Sequence, residues 1–137
     1  MKYLLFNLII LTAINSHCQN SEVGQWRDYL PYNNAISLAK MGGKIYVATE
    51  NSLFYLDVEE QTLNRLSAIN GLRDVGVAAM PKDPQKNILI VAYNSTKLDI
   101  IRDNSIYSML DIERENIVGG KSINNITFYN NTAYLSC

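Results

Sequence analysis

Apolar positions in this chain fall in short runs broken by Gly, Asn, Asp and Pro, without the three-and-four spacing of an amphipathic helix. Ile88 to Tyr93 (ILIVAY) is a dense run that stops at Asn94, Ser95 and Thr96, and the next run passes through Leu98, Ile100 and Ile101. Two such runs around a polar turn read as two strands of an antiparallel sheet. A lone hairpin is marginal in water, so the pair must belong to something larger.

The larger object shows in an internal repeat. Residues 43–49 (GKIYVAT), 87–93 (NILIVAY) and 131–137 (NTAYLSC) align so that Ala48, Ala92 and Ser136 recur every 44 positions. Val47, Val91 and Leu135 keep the same spacing, as do Tyr46, Ile90 and Tyr134. That period suits the four-stranded blades of a β-propeller and is longer than helical repeats such as ankyrin or tetratricopeptide. The pattern predicts a first blade with strands at Ile36–Lys40, Lys44–Thr49, Ser52–Asp57 and Thr62–Ser67. A second uses Val75–Met80, Ile88–Tyr93, Lys97–Ile101 and Ser105–Leu110, and a third opens with Ile123–Tyr129 and Thr132–Ser136. Gly42-Gly43, Asn70-Gly71, Asn94-Ser95, Gly119-Gly120 and Asn130-Asn131 supply turns, and Pro81 and Pro84 fall in one long connection. The expected fold class is all-β, about two and a half blades of an incomplete propeller over 35–137, with blades at 35–67, 75–110 and 123–137. The sequence thus reads as the N-terminal piece of a longer protein.

Composition supports this and narrows the chemistry. Nine tyrosines favour pleated, half-buried surfaces, and 12 basic against 13 acidic residues give no electrostatic reason to expect nucleic acid. Residues 1–18 read as a signal peptide: Lys2 precedes an apolar stretch too short to span a membrane, and Ser16 and Cys18 suit cleavage before Gln19. His17 is a poor neighbour for a lipid-modified Cys18, which disfavours a lipoprotein. The mature chain is expected to be exported, with residues 19–34 as a lead-in to the first blade. Cleavage removes the only histidine and leaves Cys137 as the one thiol, so no Ser-His-Asp or Cys-His arrangement, His-containing zinc site or internal disulfide follows. Asp57, Glu59 and Glu60, and again Asp111, Glu113 and Glu115, read as solvated turns rather than a pair of catalytic acids. No catalytic residue, cofactor or metal is expected, and no phosphate-binding loop is present.

Several segments carry a resemblance: Trp26 to Tyr32 (WRDYLPY), Asn70 to Asp74 (NGLRD), Ala92-Tyr93 with Leu98 to Ile101, and Lys121 to Ile126 (KSINNI). Together they resemble the PorZ family, β-propeller accessory proteins of the type IX secretion system of the Bacteroidota. The Asn-Gly-Leu-x-Asp element and residues 43–49 also resemble the broader two-component-regulator propeller repeat, although the second strand has no Trp and Ala48 stands where Gly is usual. The resemblance implies two seven-bladed propellers and a C-terminal domain, with only the opening of the first propeller here. It further implies a non-catalytic role at the outer membrane's exterior, in an attachment complex. The partners implied are a sortase-like protease, an outer-membrane barrel protein and another accessory subunit. Attachment of cargo to anionic lipopolysaccharide would involve a C-terminal region not represented here.

In a propeller the links between blades and the turns between second and third strands open on one face. That face is expected to carry Tyr32, Asn33, Asn34, Arg73, Asp74, Asn94, Ser95, Lys121 and Ser122, residue types suited to protein contacts. Reversing Arg73 and Lys121 to Glu is expected to weaken a complex while leaving the melting temperature nearly unchanged. Two other functions fit a propeller: a glycan-binding sensor of a membrane-bound regulator, or a module of a secreted polysaccharide-degrading enzyme. A downstream transmembrane helix and kinase would mark the sensor, and a sorting-type β domain the secretion protein. Fold alone does not choose between them.

Overall fold

The computed structural model describes residues 28–116 and 118–137, so the expected signal peptide and cleavage site lie outside the described residues. Three antiparallel sheets follow one another along the chain. The first has order β1-β2-β3-β4, with β1 Ala35–Met41, β2 Lys44–Thr49, β3 Leu53–Asp57 and β4 Thr62–Leu66. The second has order β5-β6-β7-β8, with β5 Val77–Ala79, β6 Ile88–Tyr93, β7 Leu98–Arg102 and β8 Ser105–Met109. The third pairs β9 (Asn125–Tyr129) with β10 (Thr132–Ser136). These are the blades that the 44-residue repeat predicts. β1, β5 and β9 converge on one groove lined by Leu38, Ala78 and Asn125, as the innermost strands of neighbouring blades do around a propeller axis.

Local chemistry fixes the turns. Met41 pairs with Lys44 across Gly42 and Gly43, whose φ values of 56° and 76° suit the left-handed two-residue turn that matches strand twist. Asp103-Asn104 and Asn130-Asn131 make the corresponding turns after β7 and β9, also with positive φ throughout. Sequence reading placed the first strand of the second blade at Val75–Met80, whereas β5 covers only Val77–Ala79. A register irregularity between Val77 and Ala79, after Gly76 at φ 80°, truncates it. The pairing resumes beyond: Ile90 N–H donates to Pro81 O at 3.0 Å, and Asp83 N–H donates to Ile88 O at 2.9 Å. The third blade's first strand likewise begins at Asn125 rather than Ile123. Among the described residues, two elements escaped the strand pattern, a 3-10 turn at Ala68–Asn70 and a short helix, α1, at Asp111–Arg114.

Two apolar cores lie between the sheets. Met41, Tyr46, Ala48 and Leu53 of the first blade pack against Leu89, Val91, Tyr93 and Ile101 of the second. Ile90, Ala92 and Leu98 on the second blade's other face pack against Ile123 and Ile126. β6 is therefore buried on both sides, which is why its sequence is a continuous apolar run and not an alternation. The first blade's other face is less covered: Leu38 is 67% and Leu63 59% exposed.

Candidate functional site: the loop face

The segment Asn70 to Asp74 joins the first two blades, and each residue has a mechanical task. Ser67 caps the 3-10 turn by accepting from Ile69 N–H at 3.3 Å, and Asn70 Oδ1 accepts from Ser67 N–H at 3.1 Å. Gly71, at φ 105°, ends the turn in the left-handed region. Leu72 then drops into the first core. Arg73 N–H donates to Asp99 Oδ2 at 2.8 Å. Asp74 accepts from Ser95 Oγ at 3.0 Å and pairs with Lys97 Nζ at 3.1 Å. Burial opposes the charged form of Asp74, but hydrogen bonds from Val75 N–H, Lys97 and Ser95 outweigh it and hold the pKa below its usual value.

From there a line of contacts crosses the face. Asn94 N–H donates to Gly76 O at 2.8 Å, and Ser122 Oγ donates to Asn94 O at 3.3 Å. A Cβ on Gly76 would lie 3.5 Å from Glu50 O, in the turn between β2 and β3. Beside that turn, Ser52 Oγ donates to Pro31 O at 2.7 Å. The structure thus brings together the lead-in, both interblade links and both β2–β3-type turns, as the propeller reading requires.

The expected face residues differ in how free they are. Tyr32 is committed to the first blade: its hydroxyl donates to Asp28 Oδ1 at 2.8 Å, its ring meets Phe54 edge-on at 5.9 Å, and the Arg65 guanidinium lies 4.8 Å from the ring centre. Burial, with Asp28 second, pushes its pKa up to about 12. Arg73 pairs with Glu113 of α1 at 3.2 Å, and its Nη1 is buried without a partner among the described residues. Lys121 Nζ donates to the carbonyls of Glu113 and Glu115. The expectation that charge reversal at Arg73 and Lys121 would spare stability therefore needs correction, because Arg73→Glu would set two carboxylates together and Lys121→Glu would unbind the end of α1. Asn33, Asn34 and Asn94 are exposed, Asn34 in the left-handed region at φ 55°. The amide groups are the exposed ones on this face, while the partly exposed charged groups tie its segments together.

Sequence reasoning missed the residue on which the face is built. Asp99 is fully buried, and its carboxylate accepts from Tyr93 OH at 2.6 Å, Arg73 N–H at 2.8 Å and Ser108 Oγ at 2.8 Å. Burial first, then the Asp99 hydrogen bond, raises the Tyr93 pKa well above the usual phenol range. Asp57, read as part of a solvated turn, accepts from the N–H groups of Glu59 and Glu60 at 3.1 and 3.2 Å. No described helix is long and apolar enough to cross a membrane.

Comparison with known proteins agrees with this architecture. The N-terminal β-propeller domain of PorZ, of the type IX secretion system, matches residues 45–137. Among solved structures, the chain is similar to PorZ of Porphyromonas gingivalis, an essential bacterial surface component of that system. The TM-score is 0.62 at 19% identity, over 76% of this chain and 15% of that one. It is also similar to the extracellular domain of a protein described as a one-component system of B. thetaiotaomicron, with TM-score 0.55 and 13% identity over 75% of this chain and 14% of that one. The chain therefore spans about one seventh of the length of either solved chain. No curated protein matches it. The 44-residue blades, their face-to-face cores and the match over residues 45–137 make this chain a member of the PorZ N-terminal β-propeller family.

Proposed function

We propose that this propeller is a non-catalytic building block of the type IX secretion machinery, carried on an exported protein at the cell surface. Its task would be to hold partners of the attachment complex while secreted cargo is processed and joined to anionic lipopolysaccharide. Family membership carries this reading, and PorZ of P. gingivalis, a surface component of that system, supports the location. The loop face supplies a physical basis: partly exposed ion pairs tie its segments together, and exposed amides at Asn33, Asn34 and Asn94 offer hydrogen bonds at low ordering cost. The partners would be the sortase-like protease, the barrel protein and the accessory subunit. Lipopolysaccharide would be recognised elsewhere in the protein.

The test is co-purification of the complex with full-length protein carrying Asn33→Arg and Asn94→Arg. Both side chains are exposed, so the melting temperature should hold while recovery of partners falls. Unchanged recovery would place the contact on another surface. A second reading, a sensor propeller of a signalling receptor, draws on the likeness to the extracellular domain from B. thetaiotaomicron. A transmembrane helix and signalling domain in the full-length sequence would favour it.

A further inference from the structure

The first interblade link contains a reactive pair that the fold holds closed. Asn70-Gly71 is the one Asn-Gly pair in the chain. Such a pair cyclises more readily than other asparagine sequences, because glycine has no Cβ to shield its backbone nitrogen from the asparagine side chain. Both residues are exposed, and nothing lies within 4 Å of where a Gly71 Cβ would stand, so the pair is open to solvent base.

Hydrogen bonds nonetheless oppose the reaction. Cyclisation needs the Gly71 nitrogen free of its proton and within bonding reach of Asn70 Cγ. The Gly71 N–H is engaged, donating to Ala68 O at 3.2 Å. The Asn70 carboxamide is drawn back over the turn, where its Oδ1 accepts from Ser67 N–H at 3.1 Å and from Ser67 Oγ at 3.3 Å. The backbone on either side is fastened too. Asn70 N–H donates to Ser67 O at 2.9 Å, and Leu72 N–H donates to the same oxygen at 3.2 Å. Ser67 is buried, so all of these bonds close on a fixed anchor.

We propose that Asn70 is a self-modification site gated by this cap, stable while the link is closed and converted once it opens. On opening, solvent base takes the Gly71 amide proton and the nitrogen bonds to Asn70 Cγ. The Cγ–Nδ2 bond breaks, and Nδ2 leaves as ammonia, taking up a proton in place of the one lost. Water then opens the five-membered imide at one of its two carbonyls, giving aspartate or isoaspartate with no change of oxidation state. Aspartate keeps an acceptor for Ser67. Isoaspartate lengthens the main chain by a methylene, which displaces Leu72 from the first core or Arg73 N–H from Asp99. A transient opening of the link thereby becomes permanent.

Peptide mapping of full-length protein held in mildly alkaline buffer, folded or in concentrated urea, tests this. Mass spectrometry counts conversion of amide to acid at Asn70, and an isoaspartate-specific methyltransferase identifies the lengthened product. Conversion should be at least about tenfold slower in the folded protein, since only opened molecules react. Well below its melting temperature, Ser67→Ala should convert about fivefold faster than the unaltered chain, as expected when a capping hydroxyl is lost. Ser67→Thr, which keeps the hydroxyl, should stay near the original rate. The urea comparison uses the unaltered chain, so it stands whatever Ser67→Ala does to folding. Isoaspartate-bearing protein should melt below the Asn70→Asp variant. Equal rates in folded and unfolded protein, or no acceleration in Ser67→Ala, would overturn the gating. Equal melting of isoaspartate-bearing protein and Asn70→Asp would overturn the permanent opening.

Discussion

Asp99 sits where β6, β7, β8 and the interblade link meet, and its two oxygens take three donors. Asp99→Leu would leave Tyr93 OH, Arg73 N–H and Ser108 Oγ without that acceptor, at a cost on the order of 3 kcal/mol or more. Asp99→Asn is milder, about 1–2 kcal/mol: a serine hydroxyl can turn and accept, whereas the Arg73 N–H still needs the remaining oxygen. Urea unfolding of full-length protein should give that order, Leu below Asn below the unaltered chain. Tyr93 adds a pH signature. Its pKa is raised in the folded state above the ordinary 10.0, so the stabilisation it contributes is complete below pH 10 and is lost as pH rises beyond. In an alkaline titration, the tyrosinate signal lost on Tyr93→Phe should appear only with unfolding; ionisation within the folded protein would contradict the buried pair. In sequence, Asp99 looked like the polar position of an alternating strand between Leu98 and Ile100. Only its pairing opposite Val91 turns it inward, and pairing is not a local property.

At the scale of elements, Gly76 shows how a link and a turn are fitted. At φ 80°, it brings its backbone within reach of Asn94, and an added Cβ would lie 3.1 Å from Asn94 Nδ2. Gly76→Ala should therefore cost about 1 kcal/mol or more, through left-handed strain and displacement of the 94–96 turn. Thermal unfolding of full-length protein measures the loss, and Gly119→Ala, also at positive φ but in open space, separates strain from contact. Strands were legible wherever an apolar run ended in a turn residue, so β2, β6 and β10 match their expected spans closely. β5 was overdrawn because Val75 and Gly76 continue the apolar text while the backbone has already turned left-handed. α1 was missed because Asp111 to Arg114 has too few residues to establish a helical period.

Blade stacking is the property of the whole molecule that the sequence states most clearly, because a repeat constrains every copy at once. The loop face was legible as a location, since topology sends all its loops to one end. Its energetics were not, because Arg73 and Lys121 find their partners in α1, an element the strand pattern hid. Each blade buries its faces only against its neighbours, and here the first blade leaves Leu38 and Leu63 bare while β10 presents Tyr134 at 56% exposure. Residues 28–32 cover part of the first blade's open face through Pro31 and Tyr32, leaving the aliphatic remainder for another blade.

Thermal unfolding of the segment from Gln19 to Cys137, expressed alone and sized by light scattering, tests the stacked-blade account most directly. Blades without their neighbours should give a broad transition from associating material, against a sharp one for full-length protein. A monodisperse monomer that melts in one sharp two-state step would mean that these sheets do not need neighbouring blades, and would contradict it.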